Sequence, residues 1–317
     1  MISITSSVFA DILVGNFGNT TRRYRESDAA FLGITGHGGE TTEGSAGGPD
    51  GHIYNVGNSL SSGFIGRYHG TTGDLLGYFI APGPSGQSDF NAPGWLAFGQ
   101  DGFAYCPAVR TFGGAFDGLL RFDQTTGQYF GVAVPSNTNG LTRPRKVITM
   151  PGGDLLISDD SRINRYDRLT QSFKGTFVAS SAFSDGIHGP FTFGPDGNFY
   201  VSDDDRVLQF NGSTGALIGT FAMVPSVRGI TFGNDGKFYA TSGFFSASVR
   251  RYDGVTGAFL DTFLPPSVDY PTAAHLLMVP DVPEPVSGAL VFATMFGLSA
   301  RPLRSLRSRG RAALDAS

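Results

Sequence analysis

Residues 191–221 read FTFGPDGNFYVSDDDRVLQFNGSTGALIGTF, and the pattern inside this stretch decides the fold. Phe191 and Phe193 alternate with Thr192, so one face of a short strand is aromatic. An Asp-Gly pair then supplies the positive φ of a tight hairpin, and a second strand runs to the acidic group Asp203–Asp204–Asp205. A third strand, RVLQF, is followed by a Thr-Gly turn and a short apolar run. The stretch therefore predicts four strands joined by three turns, the content of one propeller blade.

Five other stretches share its second half: RRYRESDAAFLG, GRYHGTTGDLLG, LRFDQTTGQYFG, NRYDRLTQSFKG and RRYDGVTGAFLD. The aromatic positions are Tyr24, Tyr68, Phe122, Tyr166, Phe210 and Tyr252, at intervals of 44, 54, 44, 44 and 42 residues. Blade-sized periods of this kind mark a radial repeat. The first half recurs as ITFGNDGKFYATSG, LAFGQDGFAYCPAV and, more loosely, VITMPGGDLLISDD. In the second repeat the inner strand carries Ser45, Ala46 and Gly47, which predicts loose packing there or intrusion by a neighbouring loop.

The chain begins on a second strand, DILVGN, and the missing inner strand reappears at the far end as AHLLMVPD. The expectation is an all-β, six-bladed propeller over residues 1–281, closed by His275–Val279 pairing beside Asp11–Asn16. Such pairing leaves no free radial edge.

Composition agrees. The chain of 317 residues has 46 Gly, 18 Pro and 13% aromatic residues against 16% charged ones, which suits many short strands and tight turns. The net charge is -4, but five arginines follow residue 300, leaving 18 basic and 26 acidic groups before it. That acidic body provides no footprint for nucleic acid. One cysteine, Cys106, excludes an intrachain disulfide and a cysteine-based metal centre.

The units FYVSDDDRVLQF and LLISDDSRINRYD resemble NHL-type propeller repeats, with the likeness extending over about residues 11–279. Beyond it, Val282-Pro283-Glu284-Pro285, the fifteen residues VSGALVFATMFGLSA and an Arg cluster (Arg301, Arg304, Arg307, Arg309, Arg311) resemble the PEP-CTERM sorting signal of Gram-negative-type bacteria. Residues 282–317 are thus expected to form a sorting tail with a short hydrophobic helix. Fifteen residues are short for the roughly 20 that span a bilayer, and a terminal Arg cluster remains cytoplasmic. The resemblance implies transient membrane anchoring, cleavage near Pro283, Glu284 and Pro285 by an exosortase-type enzyme, and release to the cell envelope or extracellular matrix. No signal peptide is visible in MISITSSVFADILV, so export requires a start upstream of Met1.

In this topology the loops after the second strands and those between blades share one face, where a ligand is expected. The ends of the second strands align as Asn16, Gly57, Ala108, Asp159, Asp203 and Ser242. Asp159 and Asp203 are candidate oxygen ligands for Ca²⁺, or acceptors for loop N–H groups and partners of Arg162 and Arg206. Arg145 and Arg228 stand at the starts of inner strands as candidates for gripping an anionic sugar, or as partners of a neighbouring blade's acid. His188 lies on a loop of the same face, and Trp95 is a candidate stacking surface or a filler between blades. The histidines lack zinc-ligand spacing, and no Gly-x-Ser-x-Gly elbow occurs. These features favour a non-catalytic module that binds exopolysaccharide or a surface protein. The alternative is a metal-dependent hydrolase or lyase of the gluconolactonase or streptogramin-lyase type.

Overall fold

The computed structural model describes residues 10–16, 20–37, 41–58, 63–81, 94–108, 118–138, 141–159, 161–184, 189–243 and 245–279. These hold six four-stranded antiparallel sheets. The first contains β1 (Asp11–Asn16), β2 (Thr20–Arg25) and β3 (Phe31–His37). The second runs β4 (Thr41–Gly47), β5 (Ile53–Asn58), β6 (Gly63–Tyr68), β7 (Leu75–Ile80). The third runs β8 (Ala97–Phe98), β9 (Phe103–Ala108), β10 (Gly118–Asp123), β11 (Tyr129–Pro135). In the fourth are β12 (Pro144–Thr149), β13 (Leu155–Asp159), β14 (Arg162–Tyr166) and β15 (Phe173–Val178). The fifth has β16 (Phe191–Phe193), β17 (Phe199–Asp203), β18 (Arg206–Phe210) and β19 (Leu217–Met223). The sixth has β20 (Ile230–Phe232), β21 (Lys237–Ser242), β22 (Ser248–Asp253) and β23 (Phe259–Leu264). The last strand, β24 (Ala273–Val279), returns to the first blade as its inner strand.

That closure has the expected register. Leu13 faces Leu277 and Gly15 faces His275, with the pairing running from Asp11↔Val279 to a bulge at Asn16. The protein is a six-bladed, all-β propeller. The Pro283–Pro285 motif and the tail that follows lie outside the described residues, as does His188.

Local chemistry repeats from blade to blade. In four second strands a buried tyrosine returns to the aspartate of its own hairpin: Tyr54 to Asp50 at 2.9 Å, Tyr105 to Asp101 at 2.7 Å, Tyr200 to Asp196 at 2.9 Å and Tyr239 to Asp235 at 2.9 Å. The turn before the outer strand is held by one acceptor at its start. Asp123 Oδ1 accepts from the N–H of Thr125 and of Thr126, and Asp167, Asn211 and Asp253 do the same in later blades. Gly127, Gly215 and Gly257 take the positive φ these turns need, and where the fourth blade lacks glycine Gln171 adopts φ 55° instead. The pairing between third and outer strands shifts register at the repeat aromatic in every blade, as between Arg121 and Phe122 or Gln209 and Phe210. These bulges twist the outer edges, which discourages edge-to-edge association.

Six apolar clusters occupy the seams between blades. Five hold ten or eleven buried residues each. Among the described residues the seam between the first and second blades holds four, namely Leu13, Ile53, Tyr68 and Val279. The loose packing expected from Ser45–Ala46–Gly47 is offset by polar ties. Arg23 is buried, pairs with Asp11, and donates to Gly70 O at 2.7 Å, while Asn55 Nδ2 donates to Thr35 O at 3.1 Å.

Candidate functional site: the central channel

The polar groups at the ends of the second strands tie each blade to the segment that enters it. Asp159 accepts from Thr142 Oγ1 at 2.9 Å and from the Arg143 N–H at 2.7 Å, and Asp203 accepts from Ser184 N–H and Oγ at 3.2 and 3.0 Å. Each is flanked by an arginine three residues on, Arg162 at 4.0 Å and Arg206 at 2.7 Å. Asn16 and Ser242 act equivalently, toward Thr272 at 2.5 Å and Pro225 O at 3.0 Å. In all four cases the second strand grips the segment that feeds its own inner strand. The lone pairs a calcium ion would need on Asp159 and Asp203 are the ones these donors occupy. Among the described residues no three His, Cys, Asp or Glu side chains converge on one point.

Arg145 is exposed at the start of β12, and Arg228 is half-buried ahead of β20, where its N–H donates to Thr241 Oγ1 at 3.2 Å. Both therefore stand at the ends of inner strands on the loop face.

One residue deeper lies a layer that the sequence reading did not single out as a unit. Hydrogen bonding and register place Gly44, Trp95, Lys146, Pro190, Gly229 and His275 at matching positions of the six inner segments. Three are small and three large, and at Gly44 a large neighbour fills the space the small residue leaves. A Cβ on Gly44 would meet the Trp95 ring at 2.5 Å, and one on Gly229 would meet Thr241 Cγ2 at 3.0 Å and the His275 backbone at 3.1 Å. Trp95 is thus the intruding neighbour that the thin second blade invites. It passes Gly44 and meets the His275 ring edge-on at 6.1 Å.

Polar contacts connect this layer. Ser45 Oγ lies 2.8 Å from His275 Nε2 and donates to Asn55 Oδ1 at 2.7 Å. Lys146 Nζ stands 3.9 Å from the Trp95 ring centre and 4.9 Å from that of Phe191. Both Lys146 and His275 are buried, at 8% and 1% exposure. Burial alone pushes the Lys146 ammonium down to about 7. Burial, with the nearby Lys146 charge second, pushes His275 down to about 4. At this layer the inner strands line an open cavity of about 280 Å³, reached by Lys146 and Ser45 and walled by residues from all six blades, including Leu96, Ile148, Thr192 and Thr231.

Comparisons with known proteins place this geometry among propellers. The chain is similar to a crystal structure of a protein of unknown function from Bacteroides caccae, with TM-score 0.59 and 13% identity over 85% of this chain and 98% of that one. It is also similar to TolB from Acinetobacter baumannii, with TM-score 0.61 and 14% identity over 86% of this chain and 67% of that one. A chain of the mitotic checkpoint complex aligns with TM-score 0.51 and 11% identity over 82% of this chain and 76% of its own length. These likenesses concern the fold. No family model and no curated protein matches the sequence.

Sequence reasoning singled out Arg145 and passed over Lys146 beside it. The signal was present, because a lysine stands where other inner segments carry glycine, proline, tryptophan or histidine. An isolated cation inside a strand otherwise apolar on that side is a site signal in its own right.

Proposed function

We propose that the protein is an exported β-propeller that serves at the cell surface or in the extracellular matrix as a non-catalytic binding or scaffold module for polysaccharide or protein. Its NHL-like repeats form the module, and a PEP-CTERM-type tail delivers it. The observation that carries this reading is where the ring ends. β24 finishes at Val279, and the Val-Pro-Glu-Pro motif begins at Val282. Cleavage at Pro283–Pro285 by an exosortase-type enzyme would therefore remove no strand and release a closed propeller. Exposed apolar pairs that open the outer strands, such as Phe31–Leu32, Leu75–Leu76 and Leu217–Ile218, support a role in contact with other macromolecules. Arg145 and Arg228 on the loop face are the residues proposed to meet acidic sugars.

The test of delivery is the intact mass of protein released from the surface of the native host. The expected species lacks the residues after the Pro-Glu-Pro motif, and Glu284→Ala yields an uncleaved, membrane-retained form. Full-length chain ending at Ser317 in the released fraction overturns the tail's role. For binding, Arg145→Ala with Arg228→Ala is expected to weaken retention on immobilised acidic polysaccharide without changing the melting temperature. Unchanged retention removes the loop-face arginines from the reading.

A further inference from the structure

The layer around Lys146 has an unbalanced charge. The Lys146 side chain is buried at 8% exposure, lines the channel cavity, and sets its ammonium over the Trp95 ring. Among the described residues no carboxylate, carbonyl or hydroxyl accepts a hydrogen bond from it. A cation–π contact offsets part of the desolvation of an ammonium but supplies no acceptor for its three N–H groups. Buried charges in folded proteins are otherwise paired or hydrogen-bonded. A second polar atom of the same layer, His275 Nδ1, is also buried and has no hydrogen-bond partner among the described residues. An ammonium without an acceptor in the wall of a pre-formed cavity is the pattern of a site that awaits its ligand.

The geometry points to a binding site for a small monocarboxylate in the central channel, with its carboxylate on Lys146 Nζ. Charge decides the class. At pH 6 the layer holds one ammonium while His275 is neutral, so one negative charge balances it. A dianion such as sulfate would carry an uncompensated charge into the same cavity. Size sets the scale, because about 280 Å³ matches one small molecule. The wall sets the body of the ligand. Leu96, Ile148 and Ile230 are apolar, while Thr192 and Thr231 add hydroxyls, so a short aliphatic or hydroxylated acid fits. This site is independent of export and of the tail.

Trp95 is the chain's only tryptophan and touches Lys146, so its fluorescence reports occupancy directly. The experiment titrates the intact protein at pH 6 with acetate, L-lactate and D-glucuronate, and with D-glucose and sulfate for contrast. At least one carboxylate is expected to give a saturable change, and glucose and sulfate none. Lys146→Met, which keeps the volume and removes the charge, is expected to weaken that binding by about 100-fold while melting cooperatively. Lys146→Gln serves if the Met variant does not fold. No saturable change with any of the three carboxylates overturns the proposal. So does an equal response to glucose or sulfate, or binding that survives in a folded Lys146 variant.

Discussion

Lys146 Nζ stands 3.9 Å from the centre of the Trp95 ring, inside a propeller channel and away from any described carboxylate. The contact joins the third and fourth blades through a charge that the fold keeps at a cost.

The cost has a sign that can be measured. Burial lowers the Lys146 pKa from 10.5 to about 7, so between these values the unfolded chain binds the proton and the folded one does not. Stability tied to this group is present above pH 10.5 and is lost as pH falls to about 7. Lys146→Met is expected to be more stable than wild type at pH 7 by up to about 4 kcal/mol, and the gap is expected to shrink toward pH 10. Denaturant melts of both proteins from pH 6 to pH 10 check this, and a gap that does not change with pH counts against it.

His275 acts in the acid range. Its pKa falls from 6.5 to about 4, so its contribution is present above pH 6.5 and lost as pH falls through 4. Wild type is expected to lose about 3 kcal/mol across that window relative to His275→Gln. Parallel melting curves of the two proteins between pH 7 and pH 4 would exclude a buried neutral imidazole.

Gly44 is the space that Trp95 needs. Gly44→Ala is expected to displace the indole, destabilise the protein by about 1–3 kcal/mol and shift the emission maximum of the sole tryptophan. The change is read in the emission spectrum, and an unaltered spectrum with unaltered melting would show that the ring does not rest on Gly44.

The carboxylates of Asp159 and Asp203 hold inner-strand segments through Thr142 and Ser184. Asp203→Ala is expected to cost about 2 kcal/mol, because it leaves buried donors unmet. Added Ca²⁺ is expected to raise the melting temperature of wild type and variant equally, or not at all. A Ca²⁺-dependent rise confined to wild type would assign Asp203 to a metal site.

Much of this was legible in the sequence, for physical reasons. The blade count follows from Tyr24, Phe122 and their counterparts, because each fills the same position between blades and tolerates only a bulky ring. The closure follows from AHLLMVPD, whose alternation matches an inner strand and nothing else nearby. The Asp-Gly-x-x-Tyr spacing of Asp50–Tyr54 and its three repeats was equally readable as a side-chain bond across a hairpin. The channel layer was not. Gly44, Trp95, Lys146 and His275 are far apart in sequence and meet only because six inner segments converge, which no local pattern encodes. Arg145 drew attention as the more prominent cation, although it is exposed and its neighbour is buried.

Removing residues 273–279 is expected to leave β1 with an unpaired edge. Aggregation or loss of a single cooperative transition should follow, seen by light scattering and calorimetry. A truncated chain that stays monomeric and melts like wild type would show that β24 adds nothing to closure.

The hydrogen bond between Thr272 and Asn16 links residues 256 positions apart, and this separation imposes an order of assembly. During synthesis the first blade is the earliest to emerge and the last to be finished, since its inner strand is made after all the others. Until then β1 offers a bare edge, next to the seam that holds four buried apolar residues among those described. The nascent ring is thus held open by its own connectivity, and the whole propeller locks in one late step when the final strand arrives.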